Sequence, residues 1–100
     1  MILYNVTVGI DKSVEEEWLN WMKSTHVPDV MATGFFVENK IYKVLSQQEE
    51  ENPSYSFQYF AKSITDIDEY LQLHAPKLQK EHMLRYQNKH VAFRTLLESV

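Results

Sequence analysis

The stretch ILYNVTVGIDKSVEEEWLNWMKSTHVPDVMATG, residues 2–34, decides the fold. Its hydrophobic period changes once. Ile2, Tyr4, Val6, Val8 and Ile10 alternate with Leu3, Asn5, Thr7 and Gly9, which is the period of a strand with one strongly apolar face. Val14, Trp18, Trp21, Met22 and Thr25 then recur at helical spacing and fall within about 100° of arc. Between the two lies a helix start. Ser13 reads as the N-cap, Glu16 completes a capping box, and Glu15, Glu16 and Glu17 occupy the turn that favours negative charge. His26-Val27-Pro28 is expected to end this helix, because the residue before a proline avoids the α region. Pro28 then opens a short further turn that Gly34 stops.

Working outward, Phe35 to Leu45 reads as a second strand, with Glu38-Asn39-Lys40 as a bulge or exposed edge. Ser46 to Ser54 is a polar loop. Tyr55, Phe57, Tyr59 and Ala61 alternate with Ser56, Gln58, Phe60 and Lys62 as a third strand. Thr65 is the expected N-cap of a second helix, whose inner stripe is Ile67, Tyr70, Leu71 and His74. Pro76 breaks or kinks it near Ala75, and Leu78, His82, Arg85 and Tyr86 continue it. Val91, Phe93, Thr95 and Leu97 alternate with Ala92, Arg94 and Leu96 as a fourth strand.

The order is βαββαβ, an α+β class, ferredoxin-like pattern over a single domain, residues 1–100. Right-handed crossovers place two helices on one face of a four-stranded antiparallel sheet. The stronger apolar set of the first strand is expected to face the helices. The other sheet face then exposes Leu3 and Phe60, with Leu96 as a further candidate. Such a face invites a partner, and two copies packed sheet to sheet make a homodimer, the dimeric α/β barrel.

Composition narrows the function. The 100 residues are 44% hydrophobic and 13% aromatic, too apolar for a disordered chain. There is no cysteine, which excludes disulfides, thiolate metal sites and cysteine nucleophiles. A net charge of −4 argues against nucleic acid as a partner. No basic region precedes the first apolar run, and no apolar stretch approaches the roughly 18 residues of a membrane span, so the expected location is cytoplasmic, without a membrane partner.

Two motifs carry a resemblance. The run W-L-x-W-M-x-x-T-H-V-P-D-V-M-x-T-G, Trp18 to Gly34, resembles the first-helix signature of a domain-of-unknown-function family of short bacterial proteins. The run Leu78 to Leu97, with Glu81, Arg85 and F-R-T-L-L, resembles its C-terminal end. That family is similar in pattern to the dimeric α/β barrel superfamily, which includes antibiotic-biosynthesis and haem-degrading monooxygenases. The resemblance implies fold and dimerisation, not a reaction. The haem-degrading relatives use a strand asparagine, a tryptophan and a helical histidine. Asn5 and His74 stand on similar elements, but both tryptophans here lie on the first helix, so no cofactor is expected.

The candidate site lies between helix and sheet. His26 and His82 are the candidate catalytic residues, each able to move a proton. Trp18, Met22, Phe35, Tyr59 and Arg85 are the candidate ligand-binding residues. Each has a plainer role available: a histidine at a helix end suits the dipole, and aromatics at helical spacing build cores. His82 and Arg85 share a helix face and together suit a carboxylate. His74 and His82, eight residues apart, are too far separated for one metal ion, and no metal is expected. The leading expectation is a dimeric barrel protein that binds a small apolar or weakly acidic ligand in a helix–sheet cleft. The alternatives are a cofactor-free monooxygenase or isomerase acting on a small aromatic substrate, with Arg85 steadying an anion, and a non-catalytic dimeric scaffold. A cleft with His26 or His82 inside it favours the first two.

Overall fold

A computed structural model describes residues 1–46 and 49–100; Gln47 and Gln48 of the polar loop lie outside the described residues. The strands are β1 (Ile2–Ile10), β2 (Glu38–Lys43), β3 (Ser54–Ala61) and β4 (His90–Glu98). They form one antiparallel sheet in the order β2-β3-β1-β4. The first helical arm joins β1 to β2 and the second joins β3 to β4, which makes the fold ferredoxin-like.

The first arm is one continuous helix where a break was expected. It runs as α1 (Glu15–Trp21), a π-helical turn (Met22–His26) and α2 (Val27–Ala32). The Val27 N–H reaches back five residues to the Met22 carbonyl. Proline normally clashes with the turn before it. Here Pro28 follows a wider turn, at the start of α2, and the helix continues through it. The wide turn also sets the inner face. Trp18, Met22, Val27 and Val30 are all buried, at spacings of four, five and three. An undistorted α-helix would swing Val27 about 140° away from Met22. Gly34, at φ +85°, ends the arm as expected.

The caps differ from expectation. Asp11, not Ser13, opens the first arm: its carboxylate accepts from the Ser13 N–H at 2.9 Å and the Ser13 hydroxyl at 2.6 Å. These bonds hold a short 3-10 turn, Lys12–Val14, ahead of α1. In the second arm Ser63, not Thr65, caps α3 (Ile64–Leu73), because its extended backbone lets Oγ accept from Asp66 N–H three residues on. Pro76 sits at the start of α4 (Ala75–Arg85), and His74 forms the joint between α3 and α4. β2 also begins later than expected. Phe35 and Phe36 precede it, and Glu38-Asn39-Lys40 is its first half rather than an interruption.

The helices cover β1 and β3 but leave β4 bare. Tyr4, Val8, Ile10, Tyr55, Phe57, Tyr59 and Ala61 are buried beneath them, while every residue of β4 after His90 is exposed. Register sorts the other face. Leu3 pairs with Phe60 and with Leu97, and Thr7 pairs with Phe93. The apolar members of the open face therefore include Leu3, Phe60, Val91, Phe93 and Leu97. Leu96 pairs with Tyr4 and belongs to the helix side instead. No helix is long and apolar enough to cross a membrane among the described residues.

Candidate functional site

The bare helix side of β4 creates the site. Because the helices stop short of it, a cavity of about 320 Å³ opens between the sheet and the helical layer. Its floor is Val6 and Val8 of β1 with His90, Ala92 and Arg94 of β4; its roof is Met22 and His26 of the π turn with Gln79, His82 and Met83 of α4. The volume sits at the lower end of the about 300–1,000 Å³ usual for small-molecule sites. An inner recess of about 40 Å³ shares Met22, His26, Gln79 and Arg94 with the cavity and adds Tyr4, Tyr59 and Tyr70.

His82 is held in one tautomer. The Trp18 indole N–H donates to His82 Nε2 at 2.9 Å, and both residues are buried. An indole nitrogen only donates. Nε2 must therefore carry a lone pair, and the neutral ring keeps its hydrogen on Nδ1. Burial lowers the His82 pKa to about 3, with His90, His26 and Arg94 adding to the shift.

His26 lies 5.8 Å from His82, ring centre to ring centre, and 5.5 Å from Trp21. Its Nδ1 is buried without a partner. Burial lowers its pKa to about 4, opposed by Asp29 and reinforced by Arg94. Both rings are thus neutral at pH 7. The Tyr59 hydroxyl is also buried without a partner, and burial pushes its pKa up, helped by Tyr70 and Tyr4. Both residues line the recess, and unpartnered polar atoms are unusual in a protein interior, where such groups are almost always paired.

Two further residues complete the lining. His90 lies 4.5 Å from His82 with the rings perpendicular. Its Nδ1 is 2.9 Å from the Tyr86 carbonyl, which only accepts, so Nδ1 carries hydrogen and, in the neutral ring, Nε2 is the acceptor. Arg94 donates from Nε to the Tyr4 hydroxyl at 3.1 Å. Among the described residues no carboxylate pairs with its guanidinium, and none lines the cavity. Arg94 is the one cation of the lining residues.

The structure gathers some of the expected site residues and separates others. His26, His82 and Met22 line the cavity, and Tyr59 lines the recess. Trp18 stands behind the wall and holds His82. Arg85 lies over the Trp21 ring at 5.2 Å and pairs with Glu17 at 3.7 Å, outside the cavity. Phe35 lies against His74, its ring centre 5.6 Å away, and lines neither space. Arg94 and His90 are the functional candidates that sequence reasoning missed. Alternation groups Arg94 with Ala92 and Leu96, and the pairing of Val6 with Arg94 puts that set on the helix side. Among the described residues no group of three or more His, Asp or Glu could hold a metal ion.

A family model described as a domain of unknown function, DUF4286, matches residues 1–100. No curated protein matches. Several solved structures share the fold. A dimeric ferredoxin-like protein from an uncultured marine organism has a TM-score of 0.76 at 10% identity, over 99% of this chain and 94% of that one. A putative antibiotic biosynthesis monooxygenase from Deinococcus radiodurans has 0.68 at 14% identity, over 100% and 93%. A hydroxynitrile lyase from Passiflora edulis has 0.61 at 11% identity, over 99% and 95%. At such identities the likeness is one of fold alone.

Proposed function

The chain belongs to the DUF4286 family, and we propose that it is a homodimeric binding protein for a small organic acid with an apolar body. One observation carries the reading: Arg94, with no carboxylate partner, at a cavity of mixed apolar and imidazole lining, beside a recess whose His26 and Tyr59 each bury an unpartnered polar atom. The carboxylate lies at the recess. Arg94 neutralises it, and the Tyr59 O–H supplies a further donor. The body lies outward against Val8, Met83 and Ala92. A neutral ligand gains nothing from Arg94, and a cation is repelled. A cavity containing His26 and His82 also weighs against the scaffold reading.

Benzoate is expected to bind saturably, read by tryptophan fluorescence because Trp21 lies beside His26. Arg94→Gln should weaken it at least tenfold, since a hydrogen bond to a charged group contributes about 1.5–3 kcal/mol. Benzamide binding as tightly as benzoate would overturn the reading.

The homodimer forms through the open sheet face. Phe93 and Leu97 on that face are 63% and 49% exposed in the single chain. Large exposed apolar side chains along one strand suit a partner surface. A structural neighbour is itself a dimeric ferredoxin-like protein. Native mass spectrometry is expected to give twice the 11.9 kDa chain mass, and Phe93→Glu a monomer. A wild-type monomer sinks this part of the proposal.

A further inference from the structure

The cavity holds a complementary pair of imidazoles that binding alone does not require. Two fixed bonds settle their hydrogens. Trp18 occupies His82 Nε2, leaving His82 Nδ1–H as a donor. Tyr86 O occupies His90 Nδ1–H, so in the neutral ring His90 Nε2 is the acceptor. The two rings lie 4.5 Å apart, at 87°, and both line the cavity. One ring offers a hydrogen and the other, when neutral, a lone pair.

An imidazole base removes a proton from carbon only where a neighbouring carbonyl acidifies it. A donor beside that base belongs on the carbonyl oxygen. With the carboxylate held by Arg94, the ligand that uses every group is a small oxo acid. Its ketone sits next to a carbon that bears hydrogen. We propose that the protein catalyses keto–enol tautomerisation of such an acid, with His90 as the base and His82 as the donor to the ketone oxygen. This rests on the organic-acid reading of the same cavity.

The step balances without any co-reactant. The C–H bond breaks and its proton goes to His90 Nε2. The C–H electron pair becomes the new C=C bond, and the carbonyl π pair moves onto oxygen. His82 Nδ1–H hydrogen-bonds that oxygen and keeps its proton, as a neutral imidazole can. The His90 imidazolium then gives its proton to the oxygen, forming the enol and restoring the base. The return reaction retraces these steps. Trp18 is a positioning residue, because it fixes which His82 nitrogen carries hydrogen.

Phenylpyruvate is the probe, and exchange of its methylene hydrogens in D2O, followed by NMR, is the readout. The wild type is expected to exchange them well above the buffer rate. His90→Gln should lower the enzymatic rate about 100-fold or more, the usual contribution of a general base. The fold of that variant is checked by circular dichroism. A wild type that binds benzoate but exchanges phenylpyruvate at the buffer rate overturns the tautomerase proposal alone. A wild type that does neither overturns the organic-acid reading with it. Full exchange by a folded His90→Gln protein removes His90 as the base and so overturns the assignment.

Discussion

Replacing Trp18 with phenylalanine is expected to cost about 3 kcal/mol of folding free energy, and to free His82 from its single tautomer. Two effects add. Trp18 is fully buried, with its ring centre 5.4 Å from Tyr55 and 5.6 Å from Phe57. A smaller ring leaves space that the core closes only in part, worth about 1–2 kcal/mol here on the scale of large-to-small core substitutions. The lost N–H also leaves His82 Nε2 buried without its donor, at about 1–3 kcal/mol. The sum is a large share of the roughly 5–15 kcal/mol that holds a small domain together. Urea unfolding measures it. Imidazole 15N chemical shifts test the second effect separately. The wild-type His82 signals should report hydrogen on Nδ1 alone, and Trp18→Phe should show a mixture. A variant that loses stability yet keeps a pure Nδ1–H signature would show that the indole does not set the tautomer.

Acid should destabilise the protein well above the usual carboxylate range. His26 and His82 titrate near 6.5 in the unfolded chain, but at about 4 and about 3 in the fold. Between those values the unfolded chain binds more protons. Stability is therefore full above about pH 6.5 and falls as pH falls, until each group charges in the fold. Each contributes about 1.4 kcal/mol per pH unit. Lowering pH from 7.5 to 5.0 should remove about 4 kcal/mol from the two together. Urea midpoints at pH 7.5 and 5.0 give the difference. His82→Gln should roughly halve the pH slope. A slope unchanged in that variant would place the acid sensitivity elsewhere.

The sequence made the fold legible because alternation in β1 and β3 is nearly unbroken. Val8, Ile10, Phe57 and Ala61 all fall on the buried side at their expected parity. Pro28 was misread for a local reason. A proline rule built on the α-turn does not anticipate a wider turn just upstream, although burial of both Met22 and Val27, five residues apart, demands one. The cation of the site was misread for a longer-range reason. Arg85 is three residues from His82 on one helix, a relation visible in one dimension. Arg94 reaches the cavity through the sheet, opposite Val6, and only the register of β1 with β4 brings it there. His90 sits at the first position of β4, one residue before the alternation became legible. Phe35 looked like a cleft residue from its place in the chain, but it precedes β2 and turns toward His74.

The π turn has a consequence for comparing this chain with its relatives. A turn of that kind holds one residue more than the α-turn it replaces. A relative with an uninterrupted α-helix in this arm is therefore one residue shorter between Met22 and Val27, and its correct alignment carries a single-residue gap there. Placing the gap in a loop instead, where gaps are customarily assigned, shifts the intervening residues by one. His26 would then be matched with its neighbour's counterpart, and a histidine at the true counterpart position would look like a substitution.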